Sequence, residues 1–340
     1  MRCLLCLGLL GLLGLAAPAS ADVLPATFKP PQESSTGKGP VAVTVTYIND
    51  WGPARDVISV NKGNCSRSLL WGNFSGYFWR RQDLPMGADC APNAIAHVDL
   101  DGNGFSDTAV VCDDKLRVFF SFEEPIPPAA STNPLVGETD LHGIATADFE
   151  NGTQELVTLS SVRKAAILVR YLPDGVIQAT LYPFARAPVD VAAAEITRDG
   201  HADFVTVEDT GTVTLMAGKG NGAFHARKKF NVPSGASRVA LADATGDGKA
   251  DILVAGRGFV SVLPGNGNGE FGKAITSITN VDATSFAVRD VNMDARVDVV
   301  VASNKTPSHG SRLCLSPRAT AGAVSPPTDP RGPRASRWAR

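Results

Sequence analysis

Four nine-residue segments, residues 99–107, 195–203, 243–251 and 290–298, repeat one arrangement of oxygen-bearing side chains. Positions 1, 3, 5 and 9 are Asp99, Asp101, Asn103 and Asp107 in the first, and Glu195, Thr197, Asp199 and Asp203 in the second. The third has Asp243, Thr245, Asp247 and Asp251, and the fourth Asp290, Asn292, Asp294 and Asp298. Position 7, occupied by Phe105, His201, Lys249 and Arg296, offers a backbone carbonyl. Five hard oxygens converging in a short loop suit Ca2+, which takes carboxylate, amide and carbonyl oxygen in a flexible shell. Glycines such as Gly102, Gly104, Gly246 and Gly248 give the loop the backbone freedom to wrap a cation. The competing reading is a set of Asp-rich turns whose side chains bond their own backbone.

An EF-hand needs a Glu at position 12 and flanking helices. Position 12 is instead Val110, Thr206, Val254 or Val301, within β-like runs. Two shorter copies, residues 148–155 and 49–56, fit the frame poorly and are expected to hold metal least well.

The loop starts at 49, 99, 148, 195, 243 and 290 follow a period of 47 to 50 residues. So constant a period points to stacked or radial supersecondary units. Apolar strand patterns flank each loop, and a second hairpin follows. Its turn is Gly-rich at residues 218–222 and 265–269, ending in Phe224 and Phe271, whose rings are expected to pack between units. That turn lacks the Gly-Lys-Ser/Thr of a phosphate-binding loop and no helix follows it. Four strands in about 48 residues describe one blade of an all-β β-propeller of four-stranded blades.

The acidic loop, the apolar strand after it and the G-x-G-N-G-x-F turn resemble the FG-GAP/VCBS repeat, the unit of the integrin α N-terminal-like β-propeller. The resemblance covers residues 44–303 and is clearest in the loops beginning at Asp99, Asp243 and Asp290. It implies a propeller, usually seven-bladed, with calcium between the first and second strands of a blade. Six blade motifs are visible, so the expectation is a seven-bladed type or a truncated version of it. Residues 42–47 are available to complete the last blade.

Residues 1–21 read as a secretory signal peptide, with Arg2, an apolar run from Leu4 to Ala17 and an Ala19-Ser20-Ala21 cleavage site. Residues 22–40 read as an N-terminal linker, 41–304 as the propeller, and 305–340 as a Pro/Arg-rich disordered tail. No other apolar stretch is long enough to span a bilayer. Export would permit disulfides among Cys65, Cys90, Cys112 and Cys314, with a Cys65–Cys90 bridge favoured.

The net charge is −2, but the basic tail conceals a body near −9 over residues 22–304. That balance favours cations over nucleic acid. No G-x-S-x-G or H-E-x-x-H occurs, and calcium would hold the loop carboxylates ionised and unfit as general acids. The expected product is therefore a secreted or cell-surface binding protein, not an enzyme. Its partner would be an extracellular protein or glycan, with a lectin or polysaccharide-active enzyme as alternatives. Trp51, Trp71, Trp79 and Tyr77 form either packing between sheets or a sugar-stacking surface.

Overall fold

The computed structural model describes residues 34–46, 55–73, 75, 77–87, 89–121, 135, 140–150, 152, 154–172, 176–290, 296–302 and 313–315. Their regular structure is entirely β, in six antiparallel sheets. The first contains β1 (Pro40–Thr46), β2 (Asp56–Asn61), β3 (Ser66–Gly72) and β4 (Phe78–Pro85), and the second β5 (Pro92–Val98), β6 (Asp107–Cys112) and β7 (Lys115–Phe119). The third is β8 (Leu141–Ala147), β9 (Glu155–Ser160), β10 (Ala165–Tyr171) and β11 (Ile177–Pro183). The fourth is β12 (Pro188–Ala194), β13 (Asp203–Glu208), β14 (Thr212–Met216) and β15 (Lys228–Asn231). The fifth has β16 (Ala236–Ala242), β17 (Asp251–Leu263) and β18 (Ile275–Asp282), and the sixth β19 (Ser285–Arg289), β20 (Asp298–Ala302) and β21 (Leu313–Leu315). In the fifth sheet β17 does the work of two strands: its first half pairs with β16 and its second with β18.

Successive residues of a strand face opposite sides of its sheet, so a strand covered on both sides must be apolar throughout. The second strands meet this condition. In β6, Val110 joins a core with Ile58, Leu69 and Trp71 of the first sheet, while Ala109 and Val111 join one with Leu141, Leu156 and Ile167 of the third. The same division recurs from sheet three to four, four to five and five to six. Sheets that stack face to face in chain order, with first strands β1, β5, β8, β12, β16 and β19 side by side, form a propeller. Phe224 packs edge-on against both Phe149 of the third sheet's loop and Phe204 of its own sheet, and Phe271 against Phe230. The Gly-rich turns thus end in rings that fill the spaces between sheets.

The first strands share a second feature. Register slips by one residue near the start of β1, β5, β8, β12 and β16. A bulge frees a residue from the ladder and re-aims its side chain. Around these bulges, side chains reach the main chain of the next sheet. Asn93 Nδ2 donates to the Leu141 carbonyl at 2.7 Å, His142 Nε2 lies 3.0 Å from the Pro188 carbonyl, and Ser237 Oγ donates to Ala283 at 2.9 Å. In the fourth sheet the sense is reversed, with Asp190 Oδ2 accepting from Val239 N–H at 2.9 Å.

Three expectations change. The disulfide joins Cys90 to Cys112, with Cα atoms 5.3 Å apart, and not Cys65 to Cys90. Pairing of Pro92 with Cys112 across β5 and β6 brings Cys90 within reach, whereas Cys65 sits in the β2–β3 turn. Residues 42–46 belong to β1 and pair with β2, so they close the first sheet and not the last. Leu313–Leu315 pairs with β20, so the sixth sheet extends into the stretch 305–340 read as a tail. An apolar Leu-Cys-Leu triplet there supplies the strand.

Candidate metal-binding loops

Each acidic loop joins the first strand of its sheet to the second, and the ninth position is the first residue of the second strand. That residue is buried in every case: Asp107, Asp203, Asp251 and Asp298, with Asp56 and Glu155 in the short copies. Its two oxygens do different work. Asp107 Oδ2 accepts from Leu100 N–H at 2.9 Å, and Oδ1 accepts from Ser121 N–H at 2.8 Å. Asp203 takes Ile196 and Thr197 amides on one oxygen and Gly218 on the other, and Asp251 takes Ala244, Thr245 and Gly265 in the same way. Asp56 likewise accepts from Gly72 N–H. The carboxylate fastens the loop to the end of the third strand. Charged acceptors on backbone amides make strong hydrogen bonds, which explains why an acid is tolerated there.

Burial pushes the Asp107 carboxyl up to about 6 despite its bonds to Ser121 and Leu100, and nearby Asp101 and Asp99 add to the rise. Burial also raises Asp203, against bonds from Gly218, Ile196 and Thr197.

Positions 1 and 5 shape the loop. Asp99, Glu195 and Asp243 each accept from the amide of the position-6 glycine: Gly104, Gly200 and Gly248. Those glycines lie at φ 87, 87 and 78°, the left-handed region where a side chain would strain the turn. Position 5 accepts from position 7, as Asn103 from Phe105, Asp199 from His201 and Asp247 from Lys249. These bonds preform the loop, as expected for an Asp-rich turn.

The loops then diverge. In the second sheet, oxygens of Asp99, Asp101 and Asp107 lie within 4.8 Å of one another, the one such group among the described residues. Asp99 Oδ1 is buried there with no hydrogen-bond partner. A buried acceptor without a donor is costly, and a cation would relieve it. Asn103 turns its amide nitrogen to Asp101 and to the Ser121 carbonyl, closing the loop onto β7. Three carboxylates with an orphaned oxygen fit a divalent, oxygen-seeking ion.

The fifth sheet's loop carries its own cation: Lys249 Nζ lies 3.0 Å from Asp247 Oδ2 and holds that carboxyl below its usual range. In the third sheet Arg170 of β10 pairs with Glu150, the third loop position, and also donates to Gln178. Gly222 of the next sheet's turn lies against this pair, where a side chain would meet Glu150 Oε1 and Arg170. Arg170 escaped sequence reasoning because an arginine on a strand, outside the repeated motif, carries no signal. In the last loop Asp290, Arg296 and Asp298 are described, whereas Asn292 and Asp294 fall outside the described residues.

The aromatic group separates likewise. Trp71 is buried in the core between the first two sheets, whereas Tyr77 and Trp79 are exposed. Trp51 is outside the described residues.

A family model described as an FG-GAP-like repeat matches residues 195–254 and 243–301. No curated protein matches the chain. Among solved structures, the BP39L lectin from Burkholderia pseudomallei has a TM-score of 0.61 at 19% identity, covering 82% of each chain. A lectin of Agrocybe aegerita, whose structure concerns recognition of non-reducing terminal N-acetylglucosamine, has a TM-score of 0.56 at 17% identity, covering 78% of this chain and 74% of its own. The BBS1N chain, solved in complex with ARL6DN, has a TM-score of 0.58 at 12% identity, covering 82% of this chain and 80% of its own. Such identities speak to fold alone. Stacked sheets, periodic acidic loops and these matches agree that the chain is a β-propeller carrying FG-GAP-like repeats.

Proposed function

We propose that the chain is an exported, calcium-binding recognition module whose propeller presents a surface to an extracellular protein or glycan. The observation that carries the calcium reading is the second sheet's loop, where Asp99, Asp101 and Asp107 converge and Asp99 Oδ1 is buried without a donor. Asp99 and Asp101 would ligate directly, and Asp107 has lone pairs to share beyond its two backbone bonds. Calcium there would neutralise mutually repelling carboxylates and stiffen the connection between β5 and β6. Extracellular sites of this kind have dissociation constants of roughly 10⁻⁴ M, so millimolar calcium would add on the order of 1.4 kcal/mol per site.

Export rests on the signal-like residues 1–21, and the preference for binding over catalysis rests on the sequence, which offers no nucleophile–base motif. No helix of the described residues is long and apolar enough to cross a membrane. The test is thermal melting with EDTA, then with calcium or magnesium restored. Chelation should lower the melting temperature and calcium should return it. Magnesium should do so poorly, because it demands smaller octahedral geometry. An unchanged melt in protein verified as metal-free would refute the calcium reading.

A further inference from the structure

Five Asn-Gly pairs occur in the chain, beginning at Asn103, Asn151, Asn221, Asn266 and Asn268. Such a pair can react with itself. The glycine nitrogen meets no side chain of its own on the way to the asparagine Cγ, and closing the ring needs no second molecule. In a folded chain the reaction needs two further things: a glycine N–H not committed to an acceptor, and donors placed to receive the charge that develops on Oδ1.

The first three pairs lack the free amide. Asn103 Oδ1 accepts from Phe105 N–H and Asn221 Oδ1 from Ala223 N–H, so each side chain folds back over its own next peptide. The glycine between is tied, however. Gly104 N–H donates to Asp99 at 2.9 Å, and Gly222 N–H to the Phe149 carbonyl at 3.1 Å. Gly152 N–H likewise donates to Asp148 at 2.8 Å, while Asn151 is outside the described residues.

The Gly-rich turn of the fifth sheet, residues 265–269, is built differently. Asn266 Oδ1 accepts from two backbone amides, Asn268 at 3.0 Å and Glu270 at 3.3 Å. The backbone beneath is held too, with Asn266 N–H donating to the Glu270 carbonyl at 3.1 Å. Among the described residues, no acceptor takes the Gly267 N–H. Two N–H groups converging on one carbonyl oxygen are the arrangement that stabilises a tetrahedral oxyanion. Asn268 has half of it: its Oδ1 accepts from Glu270 alone, at 3.0 Å, and the glycine that follows is buried. Asn266 is exposed, so water reaches the product of its ring closure.

We propose that Asn266 is a site of self-modification, at which the folded chain deamidates ahead of its other Asn-Gly pairs. Gly267 N bonds to Asn266 Cγ and gives up its proton, the Cγ–Nδ2 bond breaks, and Nδ2 leaves as ammonia with that proton. Water then opens the resulting succinimide at either carbonyl, leaving aspartate or isoaspartate. Each event exchanges a neutral amide for a carboxylate. The new charge arises among basic residues, since a side chain at Gly267 would meet the stems of Arg198 and Lys249 from the acidic loops of the fourth and fifth sheets. Lys249 is the cation that balances Asp247, so the modification brings a competing carboxylate to that loop.

The test ages the intact wild-type chain in mildly alkaline heavy-oxygen water, in calcium and in EDTA, beside the same chain unfolded in guanidinium. Peptide mass mapping follows each asparagine. In the folded chain Asn266 should convert on the order of tenfold faster than Asn103, Asn151 or Asn221, whose glycine amides must first leave a hydrogen bond. In guanidinium the pairs should convert at similar rates. Asn268→Ala should keep the conversion, and Asn266→Gln should abolish the acidic species seen on isoelectric focusing, both at unchanged melting temperature. Conversion of a tied pair as fast as Asn266, conversion centred on Asn268, or an Asn266 slower when folded than when unfolded would overturn the proposal.

Discussion

At the residue scale, the ninth-position carboxylate is the most consequential group of each repeat, and its first task is structural. Asp251 satisfies three backbone amides, those of Ala244, Thr245 and Gly265, from a fully buried position. Asp251→Ala leaves those donors without an acceptor and should cost about 2–4 kcal/mol in urea unfolding. Asp247→Ala, four residues earlier on an exposed side chain, should leave stability nearly unchanged. Asp190 offers a pH test outside the loops. Burial pushes its carboxyl up to about 6, against the Val239 amide and the charges of Arg238 and His142. A raised carboxyl binds its proton more tightly when folded, so this group favours folding most at low pH and loses that contribution as pH rises from about 4 through 6. Asp190→Asn keeps an oxygen for Val239 and removes the charge. It should raise the melting temperature at pH 8, with the gain vanishing by pH 4.

At the scale of the element, the sequence made the loops legible and hid what distinguishes them. Period, flanking apolar runs and position-by-position oxygens placed every described loop between a first and a second strand, because a turn's chemistry is local and repeats with it. What closes a loop arrives from far along the chain. Arg170 reaches Glu150 from β10, and the Cys90–Cys112 bridge depends on the register of β5 against β6. Neither distance can be read from spacing. The consequence is a ranking of loops by calorimetry. Asp101→Ala should reduce calcium stoichiometry by one, since it dismantles the three-carboxylate cluster. Glu150→Ala should leave stoichiometry unchanged, because an arginine already balances that loop. It should still cost about 1–2 kcal/mol, since the half-buried Arg170 loses its carboxylate partner. Equal loss of calcium from both variants would show that the guanidinium does not stand in for a metal.

For the whole molecule, the six sheets touch mainly their neighbours in chain order, and each interface has its own apolar core. Stability in such an array is close to a sum of units and nearest-neighbour terms. The side-chain bonds across the first strands, from Asn93, His142, Asp190 and Ser237, add one fixed tie per junction from the second sheet to the beginning of the sixth. Such a chain of ties makes opening progressive: a junction between inner sheets cannot part until its neighbours have yielded, whereas among the described residues the first and sixth sheets each have a neighbouring sheet on one side only. Amide hydrogen exchange should therefore be slowest in β9 and β13, whose residues are buried throughout, and faster in β1 and β19, whose exposed positions alternate with covered ones. Asn93→Ala or Ser237→Ala should speed exchange on the two sheets that the tie joins and leave remote sheets at their original rates, as in a hand fan that loosens one rib at a time.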